Sequence, residues 1–483
     1  MAVELLPDRD IPLIVDLDGT LCRTDTLHEG VLGLAAARPA DLLRLPGWLG
    51  AGKAAFKREI ADRHVLDPAL LPYDDAVIAM IEQARADGRV VGLVSAADDR
   101  QVQAVAAHLG LFDLAVGTGH ADAPQNLRGQ AKADFLTARF GARGFDYIGD
   151  SATDLPVWAA ARRGYGVRLN AATRKAADGL NLTEITTDAP GPLRALVKAA
   201  RPHQWVKNLL ILLPVLTAQN LSALPVALLA MLCFSLAASS VYILNDLVDL
   251  PSDRAHPRKC RRPFAAGSAN AVQGLTAAAG LLGVSLLLAL LLPATFLGVL
   301  LMYLVATSAY SFWLKRKMMV DIISLATLYT LRIVAGGAAT GIVLSPWLLV
   351  FSMFLFFALA AIKRQAELED LARRGGDKPA GRNMLVSDLP VLQAMSVGAS
   401  QLAVLVFALY SQDKEVQTHF GRPDLLLLVC PVLFLWLGRM QLMTRRGYMT
   451  DDPIVFTFKD RASVLCALMM FGLFVLSAIG GQP

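Results

Sequence analysis

Two hydrophobic patterns follow one another along the chain. Up to about residue 198 the apolar positions come in short runs: IPLIV before Asp16, RVVGLV before Ser95 and DYIG before Asp150, with helical stretches between them. Short buried runs that alternate with helices predict parallel strands of an α/β sheet. Beyond residue 199 the chain switches to long uncharged stretches, at 208–245, 263–314, 333–362, 389–412 and 462–483. At about 20 residues per crossing, and cut at Gly, Pro and polar breaks, these predict roughly nine membrane helices, the first of them short. The expected architecture is multidomain, with an α/β Rossmann-like domain at 1–198 and an all-α transmembrane bundle at 199–483.

Composition sharpens this division. The chain is 55% hydrophobic with a mean hydropathy of +0.47, too apolar for one soluble domain of 483 residues. Residues 1–198 hold 22 Lys and Arg against 26 Asp and Glu, whereas residues 199–483 hold 24 against 15. Of those 24 bases, 21 lie in the segment leading into the first helix and in alternate loops, the exceptions being Arg332, Lys414 and Arg422. The positive-inside rule puts the basic loops in the cytoplasm. The N-terminal stretch lacks the basic start and the long apolar run of a secretion signal, so the first domain is expected on that same side. An odd helix count then leaves the tail IGGQP outside the cytoplasmic (inner) membrane. Cys22, Cys233, Cys260, Cys430 and Cys466 show no metal-ligand spacing and are expected to be reduced, without zinc.

The chemistry of the second half begins at VYILNDLVDLPSDRAHPRKCRRPFAAG, residues 241–267. Asp246, Asp249 and Asp253 are three and four apart, the spacing that shares one helical face. Three carboxylates together need a cation, and oxygen ligands that share their ion with phosphate suit Mg2+. His256, Arg258, Lys259, Arg261 and Arg262 follow at once and supply charge for phosphates. Lys207, Lys315, Arg316, Lys363 and Arg364 stand at other cytoplasmic helix ends with Asp321 and Glu367, and Arg332 is an ionisable residue inside a helix. The residues therefore point to a membrane-surface site for a magnesium diphosphate. Carboxylates at this spacing also occur on plain solvated helix faces, and Arg332 equally suits a structural ion pair.

At these residues the sequence resembles the UbiA superfamily of intramembrane prenyltransferases, whose first motif, Asn-Asp-x-x-Asp-x-x-x-Asp, is met by Asn245, Asp246, Asp249 and Asp253. Within it the segments RPHQWVKN, NDLVDLPSDRAHPRKCRRPFAAG, LRIVAGGAATG and IKRQAEL are most similar to polyprenyl-phosphate phosphoribosyltransferases. The resemblance covers 199–483 and implies a nine-helix bundle with a polar pocket and a lateral opening for lipid. It also implies attack of a polyprenyl phosphate on phosphoribosyl diphosphate with loss of pyrophosphate. A second Asp-x-x-x-Asp motif of the aromatic prenyltransferases is missing, since Asp321 has no carboxylate four residues on.

In the first half, Asp16 and Asp18 lie in DLDGT after the first strand, Ser95 ends the second, Lys132 opens a helix, and Asp150 and Asp154 follow a later strand. Polar residues at strand carboxyl ends are where such sheets place their sites. One aspartate can attack phosphorus while a second, two residues on, shuttles the proton. A hydroxyl and a lysine can hold the phosphoryl oxygens, and carboxylates can bind Mg2+. This pattern resembles the haloacid dehalogenase (HAD) phosphatases over residues 10 to about 190. It implies Asp16 as nucleophile, Asp18 as acid/base, Ser95 and Lys132 on the phosphate, and a Mg2+ site among Asp16, Asp18, Asp150 and Asp154. The helical stretch at about 27–75 then corresponds to a cap.

One Mg2+ site per domain is thus expected, together with a transferase whose lipid product passes to the adjoining phosphatase and leaves as a polyprenyl-phosphoryl ribose for cell-envelope synthesis. An aromatic prenyltransferase with a separate or regulatory HAD domain remains the alternative. The expected partners are polyprenyl phosphate, phosphoribosyl diphosphate and the membrane, with no nucleic acid, and homo-oligomerisation stays open.

Overall fold

The computed structural model describes residues 8–122, 125–186, 191–379, 382–413, 416–417, 420–449 and 452–479. Residues 187–190 of the expected linker, Lys414 and the end of the tail fall outside them. The chain divides into two compact units, residues 1–200 with 242–278 and residues 201–241 with 279–483.

The first unit is built on a six-stranded parallel sheet in the order β3-β2-β1-β4-β5-β6. Its strands are β1 (Leu13–Val15), β2 (Val91–Asp98), β3 (Leu114–Thr118), β4 (Asp146–Gly149), β5 (Arg163–Val167) and β6 (Leu182–Ile185). The apolar runs of β1, β2 and β4 are fully buried because both sheet faces carry helices. One face packs Leu13, Val15 and Leu93 against Val77, Ile81 and Val102 of the helices Asp75–Ala86 and Asp99–Leu109. The other packs Ile14, Val94 and Tyr147 against Leu136 and Trp158. Successive strands spread outward in both directions from β1 and β4, so the order reverses between these two, the switch point where α/β sheets form their sites.

The segment after β1 is helical, with α1 (Thr26–Ala37), α2 (Leu45–Gly50) and α3 (Lys53–Arg63). Leu34, Phe56 and Ile60 give it a small core of its own.

Eight helices are long and apolar enough to cross a membrane among the described residues: 221–248, 271–289, 294–312, 320–340, 346–373, 386–411, 424–445 and 461–478. The first of the nine expected helices is instead a 3-10 stretch, Pro202–Leu212, followed by the short helix Leu213–Thr217. Prolines 202 and 214 flank this stretch and limit it to short pieces. In the second unit the helix Val320–Thr340 packs so closely on it that a Cβ at Gly336 would lie 2.2 Å from the Ile211 carbonyl oxygen. Small residues at helix contacts are what membrane bundles use for close approach.

Candidate functional site

The polar residues of the first unit meet at the switch point. Asp16 follows β1 and Asp150 follows β4, and β1 and β4 are neighbours in register. Lys132, on the helix Gln130–Phe140, lies 2.9 Å from Asp16 Oδ2 and donates to the Tyr147 hydroxyl at 2.9 Å. Tyr147 in turn donates to Asp154 Oδ1 at 2.8 Å, and Asp154 Oδ2 accepts the backbone N–H groups of Asp150 and Ser151. Buried Ser95 lies on the Asp16 carboxylate. Gly19 has φ +74°, and a Cβ there would stand 2.2 Å from Asp150 Oδ2, so the sharp turn of DLDGT requires glycine.

Carboxylate oxygens of Asp16, Asp150 and Asp154 lie within 4.8 Å of one another. Octahedral ligands about 2 Å from a Mg2+ ion stand no more than about 4 Å apart, so this all-oxygen set fits such a cation after small adjustment. Asp18, expected in the same set, is not part of it: its Oδ1 accepts the Thr26 N–H at 2.7 Å and holds the start of α1. Electrostatics agree with crowding of like charge. Burial and then Asp154 and Asp16 push Asp150 up to about 8. Burial, Asp25 and Asp16 raise Asp18 well above the usual carboxylate range. Burial opposes the charge on Lys132, but Asp16 and Asp154 outweigh it and raise the ammonium above its ordinary value.

The 246–253 segment differs from the single helical face that its spacing suggested. The helix Leu224–Val248 stops, Asp249 caps a new short helix, Leu250–Arg254, and Pro251 sits in that helix's first turn. Proline lacks the N–H needed to continue the first helix. The break still brings Asp246 and Asp253 together, because Arg262 Nη1 donates to Asp246 Oδ1 at 3.1 Å and Asp253 Oδ2 at 2.6 Å. Both carboxylates are buried, and burial raises Asp253 against the pull of Arg262. Asn245 and Asp249 are half-buried beside them, while Arg258 and Lys259 are exposed. Arg254, one residue past Asp253, makes a buried bidentate pair with Glu29 of α1.

In the second unit, Lys207 and Lys363 converge on Asp452 Oδ2 at 2.8 and 2.9 Å. Burial opposes ionisation of Asp452, but Lys363 and Lys207 outweigh it and hold the carboxyl far below its usual range. Tyr329 joins them, its hydroxyl 3.3 Å from the same oxygen. Arg332 continues the seam: it donates to Asn208 at 2.9 Å and lies over the rings of Tyr303 and Tyr329. Arg364 is saturated. Its N–H groups go to both Asp321 oxygens, both Glu367 oxygens and the Tyr310 hydroxyl, so it organises carboxylates and has no donor left for a phosphate. Lys315 is half-buried in the 3-10 turn Leu314–Arg316.

Residues 209–459 match the model of the UbiA prenyltransferase family, more than half of the chain, and residues 13–158 match haloacid dehalogenase-like hydrolase. The chain belongs to the UbiA prenyltransferase family. Uncharacterized protein y4nM of Sinorhizobium fredii is 35% identical over 97% of this chain and 92% of its own length, so both parts recur together there. Nodulation protein NoeC of Azorhizobium caulinodans is 32% identical over 57% of this chain and 91% of its own. Decaprenyl-phosphate phosphoribosyltransferase of Mycobacterium tuberculosis is 40% identical over 40% of this chain and 66% of its own. With eight apolar helices among its described residues, this UbiA family member is a multi-pass membrane protein.

Two residues of these clusters escaped sequence reasoning. Tyr147 reads as an apolar strand position, and only its phenolic oxygen hints at a buried partner. Asp452 stands in a basic segment between two apolar helices, and the one available signal was an acid just before a helix-starting proline.

Proposed function

We propose that this UbiA family member transfers 5-phosphoribose from phosphoribosyl diphosphate to a polyprenyl phosphate, and that its HAD part then removes the 5-phosphate to leave polyprenyl-phosphoryl ribose. The observation that carries the reading is the union, on one chain, of a membrane half similar to phosphoribosyltransferases and a cluster of Asp16, Asp150, Asp154 and Lys132 at the sheet's switch point.

In the transfer step a lipid phosphate oxygen bonds to the anomeric carbon as the bond to pyrophosphate breaks. The nucleophile is already an anion, so alignment and charge stabilisation suffice. Asp246, Asp249 and Asp253 would hold a magnesium diphosphate, with Asn245, Arg258, Lys259 and Arg262 beside it. Lys207 and Lys363 are the bases for the lipid phosphate, with Lys315 a further phosphate contact. Asp452 positions the two ammonium groups, and Arg332 and Arg364 brace the helices that carry them.

In the hydrolytic step Asp16 attacks the phosphorus and Asp18 gives its proton to the departing sugar oxygen. Water, relieved of a proton by Asp18, then releases phosphate from Asp16. Lys132 and Ser95 hold the phosphoryl oxygens, Tyr147 fixes Lys132 against Asp154, and Asp150 and Asp154 complete the oxygen set for Mg2+. Bound there, the ion would neutralise phosphoryl charge and orient it for in-line attack. The basic loops and residues 1–198 are assigned to the cytoplasmic side of the inner membrane, and the short stretch 202–217 is counted as a ninth crossing beside the eight long helices, which leaves the tail outside.

The full chain, supplied with polyprenyl phosphate, phosphoribosyl diphosphate and Mg2+, should release pyrophosphate, and Asp246→Ala should abolish the release. Pyrophosphate formed from a prenyl diphosphate and an aromatic acceptor, with phosphoribosyl diphosphate ignored, would instead make the chain an aromatic prenyltransferase.

A further inference from the structure

The cleft around Asp16 is larger than one phosphoryl group needs. It encloses about 1260 Å3, where small-molecule sites commonly span roughly 300–1,000 Å3. One part of its wall is Gly267–Gln273, from the segment that follows the 246–253 carboxylates. Asn270 and Gln273 there lock each other, each side-chain oxygen accepting the other's backbone N–H at 2.8 and 3.0 Å. Another part carries cations that hydrolysis of a monoester leaves unused.

Lys57 of α3 reaches in beside the nucleophile's neighbours, donating to the Ala96 carbonyl and, at 2.9 Å, to Asn126 Oδ1. Lys53, at the start of α3, and Arg128, just before the Lys132 helix, line the same cleft. Both are exposed, and among the described residues neither side chain donates a hydrogen bond or pairs with a carboxylate. Burial disfavours the charge on Lys57, Asp18 and Asp25 favour it, and neighbouring Arg128 opposes it in turn. Lys53 and Arg128, cations with no ion-pair partner among the described residues at the edge of a phosphate site, are groups that an additional anion would pair with. The other bases of the cleft are already engaged, Lys132 with Asp16 and Arg168 with Asp74.

Resting on the phosphatase reading above, we infer that Lys53 and Arg128 form a second-anion subsite, so that the HAD cleft selects a phosphomonoester whose sugar also bears a phosphodiester. Charge-assisted contacts of this kind are worth about 10- to 100-fold in kcat/KM.

The test uses the full chain and two soluble probes, methyl ribofuranoside 5-phosphate and its counterpart carrying a methyl phosphodiester at C1. Phosphate release is corrected with Asp16→Asn. The wild type should favour the diester-bearing probe by at least about 10-fold, and Lys53→Ala with Arg128→Ala should bring that ratio to within about threefold of unity. Both side chains are exposed, so the variants should fold. Equal turnover of the neutral probe and of the diester in both its soluble and its micellar polyprenyl form, or a preference unaffected by the substitutions, overturns the subsite while leaving the phosphatase intact. No release from either probe removes the phosphatase and the subsite together. Presenting the same diester on a polyprenyl chain in micelles separates a lipid-borne anion from a free one: a substitution-sensitive preference for either form over the neutral glycoside supports the subsite, and none overturns it.

Discussion

Replacing Asp452 by Asn tests the polar seam of the membrane bundle. Asparagine keeps the shape, and its oxygen can still cap the helix Pro453–Lys459 through the Ile454 N–H. The Oδ2 that now accepts from Lys207 and Lys363 becomes an NH2 donor facing two ammonium groups. Each lost hydrogen bond to a charged group costs about 1.5–3 kcal/mol. Lys207 is nearly buried, but the Lys363 side chain is 30% exposed, so water recovers part of its share. The total is then about 3–5 kcal/mol, the range for breaking one partner of a buried pair. Thermal unfolding in detergent should show a fall of roughly 6–20 °C at about 2–4 °C per kcal/mol. If the two lysines hold the lipid phosphate, kcat/KM for polyprenyl phosphate should fall about 100-fold, with partial recovery in Asp452→Glu. An asparagine variant that melts within about 1 °C of the wild type and keeps its kcat/KM would refute the seam as described.

Arg254→Met should cost about 3–5 kcal/mol in the first unit by stranding the buried Glu29 carboxylate, and adding Glu29→Leu should recover most of it in a thermal melt. Gly19→Ala should lower phosphate release at least about 100-fold through displacement of Asp150, with pyrophosphate release retained, as paired assays on one preparation would show. In metal-free protein the raised Asp150 binds its proton in the folded state more tightly than in the unfolded one. Its contribution to stability is therefore full below about pH 4 and is lost as pH rises through about 8, so melting temperature should decline across that window and Mg2+ should restore it most at the alkaline end.

What the sequence made legible was local. DLDGT, Ser95, Lys132 and the Asp150 turn each sit within a few residues of a strand or helix end, so apolar period and turn chemistry located them. The long uncharged stretches announced the membrane helices for the same reason. What stayed hidden depends on contacts across the fold. Asp452 meets Lys207 across 245 positions of sequence, a pairing no spacing rule reaches. Arg364 looked available for phosphate until both carboxylates and Tyr310 were seen to exhaust its donors. The break at Asp249 was readable in principle from Pro251, but three-and-four spacing suggested an unbroken helix.

Lipid mass analysis after incubating the full chain with polyprenyl phosphate, phosphoribosyl diphosphate and Mg2+ bears most directly on the two-step account. The wild type should accumulate polyprenyl-phosphoryl ribose, and Asp16→Asn should stop at the species heavier by one phosphate. Identical lipid products from the two proteins, or no ribose-bearing lipid from either, would contradict it.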